Sequence, residues 1–247
     1  MGVMFTKRKI FLTFLFFMIW VCSFSYINIS PTTLDKNIKV GAYQEFTFYN
    51  DTTIPFRYKI TPMAMTDNKL VKDMSKWVEV YPKIVTVNPT ESKKFKVYVK
   101  ADKNAETGDY GTFLNIRQMS APKLKGEEEQ NIGAGMVIMV NLNMGIYGYV
   151  GEKEPKIETT EPTVYKKGEK SFLKMKLANK TNRLIRVKVE VEGKRNYFYT
   201  IGETRAFKGQ TLEFDHEIKR LENNKANKVI ITDVETGKVI KEIKIKK

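Results

Sequence analysis

The chain has 247 residues, a formal charge of +15, one cysteine and one histidine. That length fits one or two domains, and 42% apolar residues are enough to pack their cores. A lone Cys and a lone His exclude an internal disulfide, a Cys/His zinc site and a His-based triad with members to spare. No cofactor or metal is expected.

Lys7, Arg8 and Lys9 precede an apolar run from Ile10 to Phe24, and Ser23 and Ser25 stand three and one residues before a cut in front of Tyr26. This is the layout of a secretory signal peptide over residues 1–25. The run is short of the roughly 20 residues of a spanning helix. An uncleaved anchor is the alternative, and it is the only membrane contact expected. Cleavage removes Cys22 and three basic residues, leaving a cysteine-free chain of charge +12 expected to be exported from the cytoplasm.

Beyond the signal, apolar and polar residues alternate in short runs, the pattern of half-buried strands. The runs are Phe46–Phe48, Phe56–Ile60, Phe95–Val99, Leu173–Leu177, Ile185–Val191 and Ile243–Ile245. Asn-Asp, Asn-Pro and Thr-Gly pairs punctuate them as turns. The nearest approach to a helix is Lys219–Lys228, which reads as one short helical turn or a polar loop. Many short strands mean an all-β sandwich or barrel. Tyr110 favours the sandwich. It enters a strand just after the Glu106–Asp109 turn, where immunoglobulin-like domains carry a structural tyrosine corner.

Gly148, Gly151 and Pro155 among charged residues place a boundary near 150, giving β-sandwich domains over 26–150 and 151–247. The first carries 16 basic against 13 acidic residues, the second 24 against 15. The strand before the boundary, Met136–Ile146, is unusual. Its even positions are apolar without a break, while its odd positions start apolar at Val137 and Met139 and turn polar at Asn141 and Asn143. A strand apolar on both faces needs cover on both, and a two-sheet sandwich covers one. The second row belongs either to an inter-domain core or to a captured partner strand. Ser120–Gly135, with Glu127, Glu128 and Glu129, is expected to be a long solvated loop.

The order of these features resembles the periplasmic pilus-assembly chaperones, which have two immunoglobulin-like domains. The likeness is carried by Phe46–Asn50 leading to Ile54-Pro55-Phe56, by Tyr81-Pro82 and Val87-Asn88-Pro89 before the basic strand Lys93–Lys100, by Asp109-Tyr110, and by Leu177-Ala178-Asn179-Lys180-Thr181. It implies strand addition to a secreted pilus or fimbrial subunit, with an outer-membrane assembly protein as a further partner. By position, Met136, Ile138, Val140 and Leu142 would contact the client, and Val137 and Met139 would face the chaperone's own core. The family's cationic anchor for the client carboxylate is missing at its usual places: the first strand has no Arg, and Gly145 stands in the final strand. Lys36, Lys39 and Lys153 are the nearby candidates.

The residues leave other readings. A non-enzymatic structural or adhesive envelope protein would bury the same strand internally. The basic charge favours anionic partners, although Lys174, Lys176, Lys244 and Lys246 alternate with apolar residues as a solvated sheet face does. No specific nucleic-acid binding is expected. Catalysis is not expected either: His216 shares a strand face with Phe214 and Leu212, and adjacent Asp215 and Glu217 point away from it.

Overall fold

The computed structural model describes residues 28–66, 68–119, 139–193, 198–218 and 226–245. The signal peptide, the loop 120–135, the residues Met136, Val137 and Ile138, and most of Lys219–Lys228 lie outside the described residues. Among the described residues the only helix is one 3-10 turn at Ser75–Trp77, and all other regular structure is strand.

The first half contains β1 (Asn28–Ser30), β2 (Asp35–Asn37), β3 (Ala42–Tyr49), β4 (Phe56–Ala64), β5 (Lys72–Asp73), β6 (Val78–Tyr81), β7 (Ile84–Val87), β8 (Ser92–Val99), β9 (Gly108–Met119) and β10 (Asn141–Val150). They form two sheets, β1-β3-β8-β6 and β2-β10-β9-β4-β7, with β5 added to β9. The second half contains β11 (Ile157–Thr159), β12 (Thr163–Lys167), β13 (Lys170–Asn179), β14 (Ile185–Glu192), β15 (Phe198–Ala206), β16 (Thr211–Glu217), β17 (Lys228–Asp233) and β18 (Val239–Lys244). Here β13 sits between β16 and the pair β11 and β12, facing the sheet β15-β14-β17-β18. The fold is all-β, two immunoglobulin-like sandwiches in series.

Alternation builds each core. In β14 every second residue from Ile185 to Val191 is buried, as the pleat requires. The first core stacks Phe46 and Phe48 on Phe95, ring centroids 5.1 Å apart in both pairs. A separate cluster from Ile157 to Ile231 fills the second sandwich.

One device recurs in both halves. Asn50 leaves the end of β3 with its side chain buried. Its amide donates to the carbonyls of Ile54 (2.7 Å) and Val87 (3.0 Å), and its oxygen accepts the Thr52 N–H (2.9 Å). At the end of β13, Asn179 donates to the carbonyls of Arg183 (3.0 Å) and Ala206 (2.9 Å) and accepts the Thr181 N–H (2.8 Å). Each Asn thus satisfies backbone groups that the departing strand leaves without ladder partners. The Tyr110 hydroxyl donates to the Glu106 carbonyl, four residues upstream, at 2.7 Å. That is the geometry of a tyrosine corner.

The strand expected to end at Ile146 continues to Val150. Gly148, expected as part of the boundary elbow with Gly151 and Pro155, lies within β10, and the segment after β2 crosses close to it. A Cβ there would meet the Ile38 side chain at 2.5 Å. β9, at twelve residues, is longer still.

Candidate functional site

The site is the outer edge of β10. On one side β10 pairs antiparallel with β9 along its whole length. On the other, β2 pairs in parallel only with Tyr147, Gly148 and Tyr149. The Leu34 carbonyl accepts the Tyr147 N–H (2.8 Å), Tyr149 O accepts the Ile38 N–H (3.0 Å), and the Thr33 hydroxyl donates to Gly145 O (3.3 Å). All three bonds belong to odd-numbered residues. Backbone groups alternate sides along an antiparallel strand, so the N–H and C=O of Asn141 and Asn143 point to the same side. No strand among the described residues pairs with them there. This is an open edge of the kind that templates strand addition.

The side chains divide by parity. Met144, Ile146 and Val150 enter the core. The same row continues to Leu142, which is 39% exposed, and to half-buried Val140, where the covering core ends. The odd row lies on the outer face: the Asn115 amide donates to Asn141 Oδ1 (2.7 Å) and Asn143 Oδ1 (2.8 Å), and Met139 is 51% exposed. The expectation that Met139 faces the domain's own core is therefore corrected. Buried Met144 and Ile146 assign the core to the even row, and a strand cannot change faces without a register break. Of the four client-contact candidates, Val140 and Leu142 protrude as an apolar extension of the core row, while Met136 and Ile138 lie outside the described residues. Gln118 holds this end of β10. Its N–H donates to Val140 O (2.8 Å) and its side-chain oxygen accepts the Val140 N–H (3.1 Å).

Lys153 lines one cavity with Lys39 and a second with Lys36, but the three do not make a ready carboxylate anchor. Lys36 donates to the Tyr43 carbonyl (2.9 Å) and lies over the Tyr43 ring, and Lys39 is exposed beside the Asn37 turn. Lys153 is corrected as an anchor. Its side chain is 6% exposed and its ammonium is held by Asp233 (3.4 Å) and Glu235, so it has no free face for a carboxylate. A cation beside Gly145, linked to it through the Thr33 hydroxyl, is one the sequence reading missed. Arg205 of β15 donates from Nε to Asp35 Oδ1 (2.5 Å) and from Nη2 to Asp35 Oδ2 (2.8 Å) and to the Thr33 hydroxyl, with its guanidinium 3.9 Å from the centre of the Tyr147 ring. Asp35 neutralises it. Spacing along the chain gave no signal for a pair 170 residues apart.

Two further contacts cross between the sandwiches. The Tyr149 hydroxyl donates to Glu235 (3.0 Å), and burial followed by that carboxylate raises its pKa. Asp109 accepts the Leu184 N–H at 2.7 Å through Oδ2, while its buried Oδ1 has no partner. Burial pushes the Asp109 carboxyl up to about 6, against the pull of the Leu184 bond and of Arg183, Lys208 and Lys153.

Comparison with solved structures returns two-sandwich proteins over nearly the full length. The E. coli chaperone DraB aligns over 90% of this chain and 98% of its own, at 12% identity and a TM-score of 0.46. A chain of the Salmonella enterica SafA pilin–SafB chaperone complex aligns over 90% and 97%, at 11% identity and a TM-score of 0.46. A chain of the CsuC–CsuE chaperone–tip subunit complex of Acinetobacter baumannii aligns over 90% and 100%, at 11% identity and a TM-score of 0.42. The chain is similar to pilus-assembly chaperones. No family model and no curated protein matches it. At these identities the likeness concerns the fold.

Proposed function

We propose that this protein is an exported, chaperone-like binder that captures another secreted polypeptide by strand addition along the free edge of β10. The observation that carries the reading is the coincidence of two features at one place. The backbone groups of Asn141 and Asn143 face an edge with no described partner strand, and beside them the core row runs out into Val140 and exposed Leu142. Backbone pairing supplies affinity, and the protruding apolar side chains enter pockets of the guest. Met136 and Ile138 extend the same row in sequence. A secreted pilus or fimbrial subunit is the client that the sequence resemblance favours. An outer-membrane assembly protein is the further partner it implies. The binder acts by pairing and burial rather than by catalysis.

The test uses Asn143→Pro. Its N–H points to the open side, so proline removes an edge donor without touching the β9 ladder. With a pilin-type subunit lacking one strand as the client, we expect complex formation by the parent chain, slowed amide exchange at Asn141 and Asn143, and at least a tenfold loss of affinity for Asn143→Pro at unchanged circular dichroism. Leu142→Asp should give the same loss. Undiminished capture by both variants, or protection elsewhere, would overturn the reading.

A further inference from the structure

A second surface lies on the outer face of the same sheet, separate from the edge. Ile84, Lys59, Arg117 and Asn141 stand opposite one another in register across β7, β4, β9 and β10. Lys59 and Arg117 are therefore a directly opposed cross-strand pair of like charge, both exposed, an arrangement that destabilises a sheet. Arg57 lies one pleat away on the same face, with its Nε buried and without a hydrogen-bond partner. Among the described residues none of the three cations forms an ion pair. Their neighbours on this face, Thr61, Thr86, Asn115 and Asn143, are neutral, and the carboxylate of Asp109 is at the far end of β9. Exposed apolar side chains flank the cations: Met139, Ile84 and Met63.

We propose that this face docks an acidic segment of another protein that also carries apolar side chains. Charge complementarity selects the acid: three cations without an ion-pair partner among the described residues, two of them repelling each other, gain most from an incoming carboxylate. The flanking Met and Ile side chains select a polypeptide, because a sulfated or phosphorylated polymer has no apolar side chains to bury against them. The surface does not depend on strand addition, since it uses side chains of the outer face and not the backbone of the edge.

The experiment titrates the secreted chain with a fluorescein-labelled peptide of about twelve residues alternating Glu and Leu. Lys59→Glu separates binding from folding. It places a carboxylate opposite Arg117, so the melting temperature should rise while peptide affinity falls at least tenfold. Leu142→Asn, which removes the apolar side chain at the edge from the opposite row of β10, should leave that affinity unchanged. Three results would overturn the proposal: equal binding of the matching Gln/Leu peptide, tighter binding of heparin than of the Glu/Leu peptide, or loss of binding in Leu142→Asn with retention in Lys59→Glu. The last would assign the peptide to the edge, leaving strand addition supported and this face without a role.

Discussion

Replacing Asn179 with Ala removes a side chain that is fully buried and makes three hydrogen bonds, two as donor and one as acceptor. Each such bond contributes about 1 kcal/mol net, and the carbonyls of Arg183 and Ala206 would be left in a dry interior where an unsatisfied group costs at least as much. The expected loss is about 3 kcal/mol, which for a sandwich of this size lowers the melting temperature by roughly 10–20 °C. The chain offers a convenient pair of probes. Trp77 is the only tryptophan after residue 25 and packs 4.9 Å from Tyr110 in the first sandwich, so fluorescence reports that half while circular dichroism reports both. In urea, Asn179→Ala should shift the dichroism transition more than the Trp77 transition. Asn50→Ala should shift the Trp77 transition directly. Asn179→Asp keeps the acceptor for Thr181 but turns a carboxylate oxygen toward two carbonyls, so it should be at least as damaging as Ala. A loss under 1 kcal/mol for Ala, or a neutral Asp variant, would refute the argument that this amide is what closes the corner.

Two other outcomes follow from the contacts between the sandwiches. Asp109 has a carboxyl pKa of about 6 in the fold against an ordinary 3.8, so the folded chain holds this proton to higher pH than the unfolded one. Its contribution to stability is largest below about pH 4, falls through pH 4–6 and is flat above 7. The full shift corresponds to about 3 kcal/mol, reduced to about 1–2 for a group that keeps some solvent contact. The stability difference between the parent and Asp109→Asn should therefore change by that amount between pH 3 and pH 7 in urea titrations, with about half of the change above pH 5; a constant difference would contradict it. Asp35 and Arg205 should show a coupling energy of about 1–2 kcal/mol in a double-mutant cycle, since removing Asp35 strands a largely buried guanidinium, while Arg186, 3.6 Å from Asp35, covers part of the loss of Arg205. Additive effects would mean that the pair contributes little.

Much of the fold was legible because β-sandwich cores are written in period two. Phe46, Phe48, Phe95 and the Ile185–Val191 run announce both their strands and their buried faces. Tyr110 was legible as a corner because a tyrosine entering a strand after an acidic turn has few other uses, whereas Asn179 stood in the sequence only as part of a resemblance and its corner bonds emerged from the structure. The end of β10 was not legible. Gly148 was counted with Gly151 and Pro155 as part of the domain boundary, and only the approach of Ile38 shows why a strand needs a glycine there. The face assignment of Met139 failed because an all-apolar stretch carries no parity signal; parity enters only at Met144 and Ile146, through the core they touch. The open edge itself depends on where β2 stops pairing, which no local pattern of Asn141 or Asn143 encodes. The Arg205–Asp35 pair and the opposed Lys59 and Arg117 exist only through strand register, a property of the assembled sheet.

The way β10 is held has a mechanical consequence. Its Tyr147–Val150 end is fixed by β2, by the Arg205 guanidinium lying on Tyr147 and by the Tyr149–Glu235 bond, whereas its Asn141–Asn143 end is paired, among the described residues, with β9 alone. The strand is in effect a cantilever rooted where the two halves meet. A load hung on the tip is carried back as torque to that root, so whatever grips the tip also tugs on the angle between the sandwiches.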